Sequence, residues 1–283
     1  MRVMKRTIRK KTLDALGSYH NTTPIIPGVR DPVRAFYKSF KGCGQSCKTR
    51  SGIGFRSCNK AVCYVCSKRW AKNQTRRYVA EFQEHELVHD QFRMITLGIG
   101  MYETVEECFS AFAAFRDKVR SSLDRKRTRK KASSKAEAWK QFTIIGSLEI
   151  DLFRLDQFDD LGSEKKDSYT IEYGFDKSTW KSDSIWVVTF HGIVYLGEIT
   201  EEDVSKFLQP YTKRVHFKHI SVRGSLGEEI QNVLGYSSKT LYEIKLKDGK
   251  PYPWHPDNIK EYVVAASKLR GRQPFKFYKS RKE

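Results

Sequence analysis

The sequence predicts an α+β protein with a central antiparallel sheet and flanking helices, plus a small N-terminal zinc-binding module. Three observations carry that expectation. The runs FRMITLGIG (92–100), QFTIIGSLEIDLF (141–153), SIWVVTFHGIVYL (184–196) and VHFKHISVRG (215–224) read as strands. They are interspersed with helical stretches without strict strand–helix alternation, which disfavours a parallel sheet. Residues 104–123 place Val105, Cys108, Phe109, Phe112, Phe115, Val119 and Leu123 at spacings of three and four, the stripe of an amphipathic helix. That stripe makes Cys108 a core residue rather than a ligand. Five of the six cysteines fall between positions 43 and 66.

The remaining elements follow in chain order. Residues 1–40 are basic and then Pro-rich, and are expected to form an arm. Residues 41–90 hold the Cys-rich module and a basic helix from Cys66 to about His89, with Arg69, Arg76 and Arg77 on its polar face. Residues 91–250 contain the four strands, forming the main domain. Between the first two strands, DRKRTRKKASSK (124–135) carries Arg125, Lys126, Arg127, Arg129 and Lys130. It is either a solvated loop or a phosphate-contacting flap. Residues 154–183 are polar and acidic, an excursion of hairpin type. The run 184–196 is apolar throughout and therefore central. Thr200, Glu201 and Glu202 mark a helix start, and a further helix is expected over 227–245. Residues 251–283 supply a last helix and a basic tail.

Composition bounds the function. The chain has 283 residues, with 53 Lys and Arg against 33 Asp and Glu, a net charge of +20. Hydrophobic residues at 39% and aromatics at 13% exclude a disordered polycation. No apolar run approaches the ~20 residues of a membrane span, and MRVMKRTIRKK has no apolar signal core behind its charges. A folded cytoplasmic protein with a polyanionic partner is expected, nucleic acid first.

The cysteines are spaced Cys43-x3-Cys47-x10-Cys58-x4-Cys63-x2-Cys66. Thiolate pairs two to four residues apart deliver the tetrahedral sulfur shell that Zn²⁺ prefers. Cys63 and Cys66 form one half and Cys58 supplies the third ligand. The fourth falls to Cys43 or Cys47. A closed all-Cys shell leaves no open position, so this zinc is structural.

Three further features suggest chemistry. Glu149 and Asp151 lie two apart on one strand and share a face. His191 sits in an apolar strand, where a polar side chain needs a partner; a neighbouring strand with carboxylates would supply one, or a shared hard-metal site. Tyr236 and Lys239 lie three apart on a predicted helix and so on one face. A tyrosine hydroxyl attacks phosphorus when a cation assists its deprotonation and a metal polarises the phosphodiester. His216 and His219 are three apart on a strand, on opposite faces, with at most one a spare ligand.

In chain order these features resemble the rolling-circle replication initiators of plasmids and phages, the HUH endonuclease superfamily. The closest likeness is to the plasmid branch with an N-terminal Cys-rich module. GFRSCNKAVCYVCSKRWAKNQTRR resembles that branch's C-x4-C-P-x-C and basic helix, with Tyr64 where Pro is usual. FRMITLGIG and GSLEID resemble the first family strands, SIWVVTFHGIVYL the metal motif, and GYSSKTLYE the tyrosine motif. The likeness covers about residues 43–245. It departs at Thr189-Phe190-His191, where the family has His-apolar-His.

The resemblance implies a metal-dependent, site-specific endonuclease and ligase that nicks one strand of origin DNA. Mg²⁺ or Mn²⁺ would rest on His191 and Glu149, with Asp151 or a water completing the set. Tyr236 would attack the scissile phosphate to give a 5′-phosphotyrosine, assisted by Lys239. DNA would be gripped by the basic residues named above, and a host helicase and polymerase would complete replication in a bacterial or archaeal cell. Two other readings remain: a zinc-containing DNA-binding protein without catalysis, and a transposase using the same tyrosine chemistry.

Overall fold

A computed structural model describes residues 2–23, 31–43, 45–49, 52–55, 89–128, 134–220, 242–269 and 276–279, with positions 66, 69, 72, 73, 76, 80, 228 and 232. Two helices open the chain, α1 (Arg2–Thr22) and α2 (Pro32–Lys41), followed by a small hairpin, β1 (Ser46–Thr49) and β2 (Gly52–Phe55). Then come β3 (Phe92–Tyr102), α3 (Val105–Arg127), α4 (Ser134–Gln141), β4 (Thr143–Arg154) and the short α5 (Ser163–Asp167). Strand β5 (Ser184–Tyr195), α6 (Glu201–Leu208) and β6 (Arg214–His219) continue the chain. It closes with β7 (Glu243–Lys245), β8 (Pro251–Pro253), α7 (Pro256–Lys268) and β9 (Lys276–Lys279).

The expected antiparallel sheet is present, in the order β6-β3-β5-β4-β9. Strand β5 is central, as its unbroken apolar run requires. Its sequence sorts the two faces. Phe190 points to one side, where Phe112 of α3 stacks on its ring at 6.4 Å between centroids and Phe115 lies tilted to it at 6.2 Å. Gly146 and Gly192 stand opposite each other in the register beside it. A Cβ on Gly192 would come within 2.4 Å of the Ile145 carbonyl and 2.7 Å of the Phe190 ring. Thr189 and His191 therefore point to the other face.

Local signals explain the helices that cover the Phe190 face. Thr104 caps α3 in a reciprocal capping box with Glu107, and the predicted stripe is buried, Cys108 and Val119 completely. Burial also pushes the Cys108 thiol's pKa far up, which suits a packed thiol. Asp31 caps α2 with Pro32 in its first turn, turning Val33, Phe36 and Phe40 inward. Trp139 and Trp186 are core residues.

Several expectations need correction. Helices α1 and α2 are not a surface arm. Thr12, Ala15 and Leu16 of α1 are buried, and one continuous core takes in Leu16, Phe36, Cys43, Cys66, Phe190 and Tyr262. The first part of the 124–135 run is the end of α3 rather than a loop. The excursion after β4 is built of helical turns over Leu155–Glu172 instead of a β-hairpin. The helix expected over 227–245 does not extend to its predicted end: Tyr242 has a left-handed φ of 52° and Glu243 begins β7. The basic tail is partly β9, an added edge strand. No helix among the described residues is long and apolar enough to cross a membrane.

Candidate functional site

The face opposite Phe190 carries an uncommon row of polar side chains for the middle of a sheet. In register across the strands stand His216, Thr96, His191 and Ser147. The adjacent row is Arg214, Gly98, Thr189 and Glu149. A register shift between Gly98 and Gly100 places a bulge in β3 beside these rows, where bulges commonly re-aim side chains.

His191 is the centre of the site. Its Nε2 lies 2.7 Å from Glu149 Oε2, and its Nδ1 lies 3.2 Å from the Thr96 hydroxyl. The two side chains are 24% and 21% exposed, so the pair is shielded yet reachable. A hydroxyl both donates and accepts, so Thr96 can hold the ring whether Nδ1 or Nε2 carries the proton. The Thr189 hydroxyl lies 3.4 Å from Nε2. Thr189 thus points into the site, in the place of the expected first histidine. Asp151, farther along β4, is half-buried, and burial followed by the charge of Glu149 pushes its pKa up to about 6.

The helical excursion after β4 walls this site, a feature invisible in its polar composition. Phe153, Leu161, Tyr169, Phe175, Ile185 and Val187 form a second hydrophobic cluster that fastens the excursion to the sheet. Its π-helical turn, Ser168–Glu172, carries the clasp. Arg214 donates to the Ser168 hydroxyl at 3.1 Å and pairs with Glu172 at 3.3 Å, while Ser168 donates to Glu172 at 2.6 Å. Tyr173 then lies over Gly98: a Cβ there would fall 2.3 Å from the Tyr173 hydroxyl. Burial and the neighbouring Glu172 push the Tyr173 pKa up. Arg214, Glu172 and Tyr173 were missed in the sequence because no spacing links them to His191. The only available signal was a cluster of aromatics inside an otherwise polar segment.

The donor set can be tested against a hard divalent cation. Among the described residues, no third His, Cys, Asp or Glu joins His191 and Glu149 in a group that could hold a metal. Two protein ligands suffice for Mg²⁺, which ordinarily keeps several waters and takes oxygens from substrate phosphate. Glu149 supplies the carboxylate that mode requires, with His191 Nε2 beside it at 2.7 Å.

The other predicted residues are distributed as follows. Cys43 and Cys66 are both buried, and their sulfurs are 3.4 Å apart. That exceeds a disulfide bond of about 2.05 Å and approaches the edge, roughly 3.8 Å, of a tetrahedron with Zn–S bonds of about 2.3 Å. Cys43 and Cys66 therefore meet as neighbouring thiols in the core. Cys47 is placed by its backbone, opposite Gly54. Cys58, Cys63, Arg77, Arg129, Lys130, Tyr236 and Lys239 lie outside the described residues. Arg69 and Arg76 are exposed on a helix. Arg125 is exposed and Lys126 half-buried.

Arg127 corrects an expectation. It is only 3% exposed and its guanidinium donates to the carbonyls of Trp139, at 3.0 Å, and Phe142. It ties α3 to the start of β4 and does not face solvent. His216 stands exposed on the His191 face, with His219 on the opposite one. Tyr242, the next tyrosine after Tyr236, is fully buried with its hydroxyl 3.0 Å from that of Thr12, a core position.

Comparisons with protein-family models, with curated proteins and with solved structures find no match.

Proposed function

We propose that the chain is a DNA strand-nicking enzyme that starts rolling-circle replication through a transient tyrosyl–DNA bond. The observation that carries this reading is the His191–Glu149 pair on the open polar face of an antiparallel sheet, with Thr96 holding the other ring nitrogen. A bound Mg²⁺ or Mn²⁺ would supply Lewis acidity toward a phosphodiester oxygen. His191 and Glu149 would hold it, and Thr96 would keep the imidazole oriented. The walls formed by Tyr173 and Arg214 would confine a single strand over the sheet.

Tyr236 is the proposed nucleophile, from the sequence motif. Its oxygen bonds to phosphorus as the bond to the 3′ oxygen breaks, leaving a 5′-phosphotyrosine. The tyrosine gives up its proton, and the departing 3′ oxygen takes one up to become a primer hydroxyl. Lys239 would stabilise the tyrosinate. The cysteine cluster is read as a structural zinc site, with Cys43 and Cys66 as two ligands.

The test is covalent trapping. The full chain is incubated with single-stranded DNA from its replicon's origin and Mn²⁺. A protein–DNA adduct is expected, absent in Tyr236→Phe and reduced at least about a hundredfold in His191→Ala, the usual scale for removing a group that acts on the reacting centre. Tyr173→Phe should still form it. Intact binding without an adduct on any origin strand would overturn the nicking reading. It would favour the second reading, a zinc-containing DNA-binding protein, to which Thr189 in the place of a histidine also points. An adduct lost only in Tyr173→Phe would move the nucleophile to the excursion.

A further inference from the structure

On the helical layer, away from His191, a cleft of about 780 Å³ opens between the end of α3 and α6. Arg125, Lys126 and Lys206 stand around it, with Phe207 and Tyr211 on its apolar side. Lys126 Nζ is set 4.7 Å from the Trp139 ring centre and 5.6 Å from that of Phe207. Arg125 donates to the Ser122 hydroxyl at 2.8 Å, which in turn lies 2.8 Å from the Tyr211 hydroxyl. Asp203, which also lines the cleft, is turned to the α6 cap, its carboxylate accepting from the Thr200 hydroxyl at 3.1 Å. Lys206 also pairs with Glu202 at 2.6 Å, both side chains exposed, so the cations line the opening with Asp203 and Glu202 beside them.

Pro210 and Tyr211 also line a second hollow of about 390 Å³, whose lining includes Lys118 and Lys213. Both of those lysines are exposed. Cations spaced along a groove with an aromatic ring at its middle match the chemistry of a single nucleic-acid strand: phosphates to Lys and Arg, a base against a ring. A mononucleotide would fill only one of the two hollows.

We propose that this groove binds single-stranded DNA at a distance from the scissile phosphate, with a base against Tyr211. The choice of DNA as ligand rests on the nicking reading; the strand-binding chemistry does not. Because α3 covers the sheet face opposite His191, a strand held in both places must pass around the edge of the sheet. The groove would therefore fix the path of flanking DNA and add affinity only for long substrates.

The experiment is an anisotropy titration of the full chain with labelled oligothymidylate across a range of salt concentrations. Arg125→Gln/Lys206→Gln, both at exposed positions, should weaken binding about tenfold and flatten the log–log salt slope by about 1.4, two contacts at about 0.7 each. Lys181→Gln/Lys250→Gln removes the same charge elsewhere and should change neither by as much. Equal effects of the two pairs, or no effect of the first, would overturn the groove. So would thymidine monophosphate competing as well as the oligomer per nucleotide. Adduct formation on a short origin strand serves as the separate readout. If it persists while the groove variants bind normally, the groove alone fails. If it is absent while the groove variants lose affinity as stated, the nicking reading alone fails.

Discussion

At the scale of single residues, position within the fold decides what each ionisable group can do. Glu261 of α7 accepts the Val105 backbone N–H at 3.3 Å, at the N-terminus of α3. That bond favours its carboxylate, but burial outweighs it and pushes the pKa up, with Glu106 adding to the shift. The native state therefore holds this proton more tightly than the unfolded chain does. Its contribution to stability is full below the ordinary value of 4.5 and falls as the pH climbs through the raised native value. Glu261→Gln keeps an acceptor for Val105 and removes the buried charge. Melting temperatures should show the variant gaining on the parent between pH 4 and pH 7; a constant difference across that range would count against this account. Arg127 gives the complementary case. In the sequence it is one more cation in a basic run, yet its helix position turns it inward onto two carbonyls, which no charge count shows.

At the scale of elements, β5 shows how a strand separates structure from site. Alternation puts Phe190 under α3 and leaves Thr189 and His191 on the polar face. The close approach of β4 and β5 around Gly146 and Gly192 makes room for the Phe190 ring. Gly192→Ala would drive a methyl into the Ile145 carbonyl, and overpacking of this kind typically costs about 1–3 kcal/mol. Urea unfolding should show that loss, or more because backbone rather than a side-chain end must move. Binding of short single strands should weaken with it. The strands, the α3 stripe and the pairing of Glu149 with the His191 strand were legible in periodicity, since both faces of these elements obey the simple rules. The excursion after β4 was not. Its hydrophobic cluster is assembled from residues scattered over Phe153 to Val187, with no repeat to mark it.

At the scale of the whole molecule, the first and last segments are packed into the same core as the sheet. The Thr12–Tyr242 contact joins α1 to the residue that follows the Tyr236 segment, and Tyr242 takes up a left-handed φ rarely tolerated outside well-packed sites. Cys43 and Cys66 belong to this core as well. If zinc joins them, its removal should loosen the global fold as well as a peripheral module. Elemental analysis is expected to give about one zinc per chain. Chelation should lower the main melting transition rather than produce a separate early one, and Cys66→Ser should do the same without chelator. A melting curve insensitive to both would leave the cysteines as packed thiols.

The sequence by itself determined the α+β class, the buried stripe of α3, the sheet and the partnership of His191 with a carboxylate on its neighbouring strand. These follow from local periodicity and from the rule that a polar group in an apolar strand needs a partner. Only the tertiary structure decided that Thr189 points into the site, that Arg127 does not face solvent, and that the terminal segments close the core. It also set Tyr173 and Arg214 beside Gly98 and opened the groove between α3 and α6. Each of these depends on contacts between residues far apart in the chain, and such contacts leave no period or spacing to read.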